Sequence, residues 1–351
     1  MSFNQCRWSS FLTNWQLGIL LLLLTTVSSG WAQSSTNDQS KSEIHSGPTP
    51  ENWSSLSLKD SQLEPQSPIV GEKAEFPDFT RELLRVQWRL LDPIDLYVIR
   101  PKRVSKPPVI LYLYSFPSDT DRFRDDSYCA RLTAGGYTAI GFVSALTGPR
   151  FAMRPMKQWF VSELQESLGS SVHDVQMILN YLSTRDDLDL NHVGVFGTGS
   201  GGTIAILAAA ADPRITVVDA LNPWGDWPDW VAKSSIISEE DRPIFLKPEF
   251  LKKVAPLDPV QWLPQVKAQV RIVRLADDTV TPQTAAEKID AAAGPEAKIM
   301  HYESVRRFYG VSSQGRVFQW VKDQLRPAKP ATETVRTSPP GSVTAEPGHN
   351  E

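Results

Sequence analysis

Four glycines among six consecutive residues, at positions 197, 199, 201 and 202, constrain the fold of this chain more than any other feature. A short apolar run rich in β-branched residues precedes them, and apolar residues at helical spacing follow. This pattern predicts a strand, a tight turn and a helix. Where a buried strand reverses directly into a helix, side chains would collide, so glycine is needed at the close approaches. We expect the functional residues of an α/β protein near such a turn.

Strand and helix patterns alternate over residues 79–326, which predicts one α/β domain with a mostly parallel sheet and helices on both faces. The predicted strands cover residues 84–89, 95–100, 109–114, 137–143, 192–198, 215–220, 270–275 and 298–302. The predicted helices cover residues 123–134, 170–184 and 317–325, besides the one after the glycine turn. Residues 224–263 are rich in proline and aromatic residues, and we interpret them as a short lid-like insertion over the strand ends.

Residues 1–32 have the pattern of a signal peptide. Arg7 precedes an apolar core at residues 17–27, and Gly30 and Ala32 place small residues where cleavage is determined. The sequence therefore predicts export to the periplasm or the medium, with no membrane span after cleavage. An uncleaved anchor is the alternative.

Polar composition predicts two regions outside the folded domain. Residues 33–78 are rich in Ser, Pro, Glu, Asn and Gln, so we expect a flexible linker there. Residues 327–351 have a similar composition, and we expect a disordered tail.

Charge and cysteine content exclude several classes of partner. The chain carries 36 basic and 40 acidic residues with no basic patch, which argues against nucleic acid as a partner.

Cys6 would leave with the signal peptide, so Cys129 would be the single thiol of the mature chain, and we interpret it as a buried apolar residue. No cluster of His, Cys and carboxylates has the spacing of metal ligands, so we predict neither a metal nor another cofactor.

Residues 196–202 resemble the nucleophile elbow of the α/β-hydrolase superfamily, most closely its dienelactone-hydrolase and prolyl-oligopeptidase-like branches. Aligned on the flanking glycines, the family's nucleophile position falls on Gly199, and Ser200 becomes the next residue. Ser200 matches the pattern only if the frame slides by one residue. A phosphate-binding turn is a weaker alternative, because no lysine follows the glycine pair.

The resemblance also implies positions for the other catalytic groups. Asp278, four residues before a proline, matches the acid, although it could instead cap a helix or form an Asx turn. Arg306 or Arg307, in the loop expected after the last strand, stands at the position of the base, and an arginine cannot accept a proton from a hydroxyl. We expect Arg307 to pair with Asp278. His301 is the only histidine close enough in sequence to replace the base, and the N–H groups of Phe116 and Ser200 match the oxyanion-binding pair.

Three indoles lie in the first part of the insertion. Trp224 and Trp227, with Trp230, could line a pocket for a small apolar, ester-like or sugar-like ligand. The alternative is that they anchor the insertion to the domain.

These observations lead to three hypotheses. The first is an exported α/β-hydrolase-fold protein with a degenerate triad, which retains a ligand- or partner-binding role. The second is an active serine esterase or peptidase that uses Ser200, Asp278 and His301. In the third, the domain is a spacer, which predicts no concave pocket at the strand ends.

Overall fold

The computed structural model describes residues 51–58, 61, 63–90, 92–114, 120–145, 150, 160–312 and 316–326. All of these residues belong to one compact unit, which begins at Pro48. The predicted signal peptide, the predicted tail and Phe116 lie outside the described residues.

A nine-stranded sheet organises the described residues, in the order β1-β2-β3-β5-β4-β6-β7-β8-β9. The strands are β1 Ile69–Glu75, β2 Phe79–Val86, β3 Ile94–Pro101, β4 Pro108–Leu113, β5 Thr138–Phe142, β6 Asp189–Thr198, β7 Ile215–Leu221, β8 Gln269–Leu275 and β9 Lys298–Tyr302. The first three strands and their junction with β5 are antiparallel. From β5 to β9 every pairing is parallel, as the alternation of strands and helices predicts.

Helices cover both faces of this sheet. They are α1 Asp126–Thr133, α2 Leu164–Leu182, α3 Ser200–Ala211, α4 Trp227–Lys233, α5 Arg242–Phe245, α6 Pro248–Val254, α7 Pro259–Trp262, α8 Gln283–Ala292, α9 Val305–Ser312 and α10 Gln319–Gln324. Apolar side chains of α2, α3 and the insertion form the core on one face, and those of α1 and α10 form the core on the other. Because both faces are covered, every residue of β4 is buried, which explains its continuous apolar sequence.

Eight of the nine strands lie within five residues of their predicted bounds, and β1 was not predicted. The prediction of a flexible linker over residues 33–78 is wrong where the structure describes that region. β1 pairs with β2 along residues 69–75, and the side chain of Leu56 is buried. Trp53 packs so closely on α2 that a Cβ on Gly169 would lie 2.3 Å from its carbonyl oxygen. Few apolar residues are needed here, because backbone pairing and the charged contacts described below anchor the segment.

Cys129 is buried in α1, and its thiol donates a hydrogen bond to the carbonyl oxygen of Phe123 at 3.0 Å. The prediction that Cys129 is buried is therefore confirmed. Among the described residues, no helix has the length and apolar content needed to cross a membrane.

Candidate active site at the carboxyl ends of the strands

The glycine cluster forms the predicted turn between β6 and α3. Gly199 lies at its apex with φ 52° and ψ −120°, a backbone conformation that side-chain-bearing residues adopt only with strain. Its N–H donates to the carbonyl oxygen of Leu221 at the end of β7, and its own carbonyl accepts from the N–H of Thr203. The turn is therefore held to the neighbouring strand and to the first turn of the helix.

The other glycines permit the close approach of backbones. A Cβ on Gly197 would lie 2.3 Å from the carbonyl oxygen of Gly201, so strand and helix touch there. A Cβ on Gly201 would lie 2.3 Å from the carbonyl oxygen of Leu113, at the end of β4. Neither contact leaves room for a side chain, and both bring α3 directly over the ends of β4 and β6.

Ser200 is the first residue of α3, and its side chain is completely buried. It therefore follows the strained apex and does not occupy it. In a nucleophile elbow the strained residue itself carries the exposed nucleophile, and here that residue has no side chain.

Asp278 lies just after β8, where the resemblance to the hydrolases predicts the acid. Its two carboxylate oxygens accept hydrogen bonds from the N–H groups of Val280 at 3.1 Å and Thr281 at 3.2 Å. This is the Asx-turn geometry that the sequence left open as the alternative. Burial raises the pKa of Asp278 above its ordinary value, although these hydrogen bonds oppose the change.

The segment expected to carry the base differs from the prediction, since most of it is helix α9 and not a loop. Asp277 begins this helix by accepting the N–H of Val305 with both oxygens, at 2.9 and 3.1 Å. Arg307 is exposed, and its backbone N–H donates to the hydroxyl of Ser304. Within the described ranges its guanidinium forms no ion pair, so the predicted pair with Asp278 is absent there.

His301 and Asp278 line the same cavity, of about 280 Å³, at the ends of β7, β8 and β9. His301 lies on the edge strand β9 and is exposed. It pairs in register with Arg274 of β8, so the two side chains share one face of the sheet. Ser200 is not among the residues lining this cavity. The cavity therefore contains two members of the alternative triad without the third.

Arg274 is the most buried charged group in this cavity, with 6% of its surface exposed. Its Nε and Nη2 atoms contact Oδ1 of Asp290 on α8, at 2.9 and 2.7 Å, and Nη2 also donates to the carbonyl oxygen of Ala286. Its Nη1 atom is buried and has no hydrogen-bond partner in the structure. Sequence reasoning missed this residue, because an arginine inside a predicted strand carries no catalytic signal.

The predicted oxyanion position at Phe116 lies outside the described residues, so only the end of β4 can be described. Tyr114 follows that strand, its hydroxyl contacts that of Tyr128, and the guanidinium of Arg122 lies 3.8 Å from the centre of its ring. Burial raises the pKa of the Tyr114 hydroxyl, so it is neutral and can donate a hydrogen bond.

Trp224 and Trp227, for which the sequence left both a ligand pocket and a core role open, are buried. Their side chains are 2% and 0% exposed, and both rings pack against Trp230 with centroids 5.0 and 5.6 Å away. Trp227 borders a separate cavity of about 430 Å³ inside the insertion. The indoles belong to the core and anchor the insertion, as the alternative interpretation predicts.

The insertion is fixed further by one carboxylate. Asp258 accepts the N–H groups of Asp226 and Trp227 at 2.9 and 3.1 Å, and it also caps α7 through Val260 at 3.0 Å. Lys288 of α8 donates to Asp226 at 2.7 Å. The insertion is therefore hydrogen-bonded to the domain at its start.

A buried cluster of charged groups anchors the segment before the sheet. It contains three carboxylates and three basic side chains: Glu51, Asp92, Asp174, Arg89, Arg150 and His173. Arg89 contacts Glu51 at 2.5 and 2.6 Å and also contacts Asp174, which receives a further contact from Arg150 at 2.5 Å. The pKa of Asp174 falls to about 2 because the contacts from Arg150 and Arg89 outweigh its burial.

His173 connects this cluster to the backbone of the anchored segment. Its Nδ1 lies 2.5 Å from Oε1 of Glu51, and its Nε2 lies 2.8 Å from the carbonyl oxygen of Ser55. Burial alone would raise the pKa of Glu51, but the hydrogen bonds from Arg89 and His173 lower it to about 2, so its carboxylate is ionised. An ionised carboxylate and a carbonyl only accept hydrogen bonds, so both partners of the His173 ring are acceptors.

Comparison with solved structures identifies the fold. An acetyl xylan esterase from a Paenibacillus species superposes with a TM-score of 0.56 at 15% identity, covering 76% of this chain and 90% of that one. Acetyl xylan esterase 1 from a Thermoanaerobacterium species gives a TM-score of 0.53 at 15% identity, covering 74% and 89%. A cold-adapted esterase from an Arctic intertidal metagenomic library gives 0.51 at 15% identity, covering 74% and 98%.

These similarities, with the strand order and the strand-turn-helix at Gly199, define the class: the chain has the α/β-hydrolase fold. No protein-family model and no curated protein matches the sequence. At identities this low the likeness concerns the fold, and function must be argued from the site.

Proposed function

We propose that this chain is an exported α/β-hydrolase-fold protein that binds a small ligand at the carboxyl ends of its strands and does not hydrolyse it. The conformation of Gly199 carries this proposal: the strained apex of the elbow, φ 52° and ψ −120°, belongs to a residue without a nucleophile. Acyl transfer in this fold needs a nucleophile at that point.

Two further observations support the loss of hydrolysis. Ser200 is fully buried at the start of α3. The position of the base holds Arg307, an exposed guanidinium that stays protonated and cannot activate a hydroxyl. A nucleophile and its base are therefore both missing from the family positions.

A binding role is favoured over a spacer role by the cavity of about 280 Å³ at the ends of β7, β8 and β9. A spacer needs no concave site, whereas this one is lined by polar groups. Export is proposed from the signal-peptide pattern of residues 1–32 alone.

Turnover of p-nitrophenyl acetate by the purified protein tests this proposal. We expect the wild type, Ser200→Ala and His301→Ala to give the same rate as the buffer. A wild-type rate above background that the Ser200→Ala change abolishes would overturn the proposal. A known serine esterase in the same assay controls for the substrate.

The second candidate is an active serine esterase or peptidase that uses Ser200. One observation favours it: Asp278 and His301 line a common cavity, as the acid and base of a triad would. This candidate requires the Ser200 side chain to reach that cavity from a fully buried position. It predicts that Ser200→Ala and His301→Ala each abolish activity.

A further inference from the structure

The guanidinium of Arg274 combines burial, a neighbouring cavity and an unused donor. Its side chain is 7% exposed, and it lines the cavity of about 280 Å³. Among the described residues lining that cavity, its Nη1 is the one buried side-chain polar atom without a hydrogen-bond partner. A buried donor left unpaired costs about 1–3 kcal/mol, so a ligand that accepts from it would recover that cost.

Other donors face the same space. The side-chain oxygen of Asn222 accepts the N–H of Leu275 at 2.9 Å, which leaves its amide nitrogen as a donor. His301 lines the cavity from β9, and its ring forms no hydrogen bond or ion pair within the described part of the chain. Three donor-bearing residues, one just after β7, one on β8 and one on β9, therefore line the same cavity.

The two carboxylates in the lining are already engaged. Oδ1 of Asp290 contacts Arg274 twice, at 2.9 and 2.7 Å, which offsets the charge of the guanidinium. Asp278 accepts two backbone N–H groups. Burial raises the pKa of Asp278, although its backbone hydrogen bonds oppose the change.

We propose that this cavity binds a small carboxylate anion, with Arg274, Asn222 and His301 as its hydrogen-bond donors. The volume equals that of about nine waters at roughly 30 Å³ each, so a carboxylate of a few carbon atoms fits. A carboxylate matches the site because its oxygens accept several donors at once, and guanidinium N–H groups bind it more strongly than a neutral acceptor. This inference rests on the proposed ligand-binding function and names its ligand class.

Sodium propionate and its neutral isostere propionamide distinguish a carboxylate site from a general polar cavity. We would titrate the isotope-labelled full-length protein with each compound and follow backbone amide shifts by NMR. The expected result is saturable binding of propionate, with at least tenfold weaker binding of propionamide. Equal binding of both compounds, or no saturable binding of propionate, would overturn the proposal.

Two variants assign the binding to this cavity. Arg274→Lys keeps a cation beside Asp290 but removes Nη1, and His301→Gln changes an exposed residue that the fold does not need. Each is expected to weaken propionate binding about tenfold or more. Arg85→Lys is the control. Arg85 lies on the remote strand β2 and forms an exposed ion pair with Asp95, so this variant should bind propionate like the wild type.

Thermal unfolding of each variant monitors folding, and His301→Gln keeps the test valid if Arg274→Lys is unstable. Wild-type affinity in a folded Arg274→Lys or His301→Gln protein would refute the assignment. The ester assay is separate: Ser200-dependent turnover would refute the proposed function, whereas failure of propionate binding alone would refute only the ligand class.

Discussion

Replacing Glu51 by glutamine tests whether the buried charge cluster holds the chain before β1 in place. The Glu51 side chain is 9% exposed and accepts hydrogen bonds from Arg89 and His173. The change leaves three basic groups facing two carboxylates within the cluster. A buried charged group that lacks an opposite charge destabilises the folded state. Arg89 and His173 both lose their ionised partner in this variant, so the folded state becomes less stable.

The magnitude follows from the pKa of Glu51, which is about 2 in the folded protein against an ordinary value of 4.5. Each pKa unit corresponds to 1.36 kcal/mol, so the ionised carboxylate contributes about 3 kcal/mol to the free energy of unfolding. Breaking a buried ion pair by removing one partner costs a similar amount, about 3–5 kcal/mol. We therefore expect Glu51→Gln to lose about 3 kcal/mol at neutral pH.

The pH dependence has a definite sign. Because the folded pKa is lower than the unfolded one, the contribution of Glu51 is fully present above pH 4.5 and is lost as the pH falls towards about 2. The difference in stability between wild type and Glu51→Gln is therefore large at pH 7 and shrinks below pH 4.5.

Urea unfolding followed by circular dichroism at several pH values measures this difference. Asp95→Asn, which breaks the exposed pair with Arg85, is the matched control and should cost less than about 1 kcal/mol. A Glu51→Gln protein as stable as the control, or a stability difference unchanged between pH 7 and pH 3, would refute the reasoning.

Three more predictions concern the elbow, the insertion and a buried lysine. Gly199→Ser should lower stability by about 1–3 kcal/mol, because φ at this position is 52°, and should create no esterase activity; unchanged thermal stability would contradict the strain. Trp227→Ala should cost about 3–5 kcal/mol in urea unfolding, because the side chain is fully buried, and a cost below about 1 kcal/mol would contradict its core role. Burial lowers the pKa of Lys322 to about 8, from 10.5, so the stability of the wild type relative to Lys322→Met should rise between pH 8 and 10.5. Parallel profiles of unfolding free energy against pH for the two proteins would refute this.

Much of the fold could be predicted from the sequence, because the central strands are buried on both faces. The strand at residues 109–114 is a continuous apolar run, and the structure places β4 at Pro108–Leu113. The glycine cluster is equally informative, since each close backbone contact excludes a side chain. Gly197 and Gly201 meet such contacts at 2.3 Å.

The segment before the sheet could not be predicted in this way. Residues 51–58 are held in place by Glu51, by the Ser55 carbonyl and by Trp53, which packs against Gly169. Glu51 and Ser55 both contact His173, which lies more than 100 positions away in the sequence. Polar composition normally indicates disorder, and it does not reveal charged partners that are distant in sequence. Strand β1 was also missed, because nearly all of its residues are exposed and the strand has no apolar face.

The candidate site was predicted in part. The elbow and Asp278 could be located because local patterns mark them, whereas Arg274 became visible only through the cavity it lines. The segment around Arg307 was predicted as a loop, yet Asp277 caps a helix there through a contact 28 residues away in sequence. Such tertiary capping leaves no signal in a local window.

Active-site labelling with a fluorophosphonate, followed by mass spectrometry of the intact protein and its peptides, tests the central claim most directly. This reagent reacts with serines that an adjacent base has activated. We predict no adduct on the wild-type protein under conditions that label a serine esterase completely. An adduct on the peptide containing Ser200, absent from Ser200→Ala, would show that the elbow carries a working nucleophile and would contradict the account.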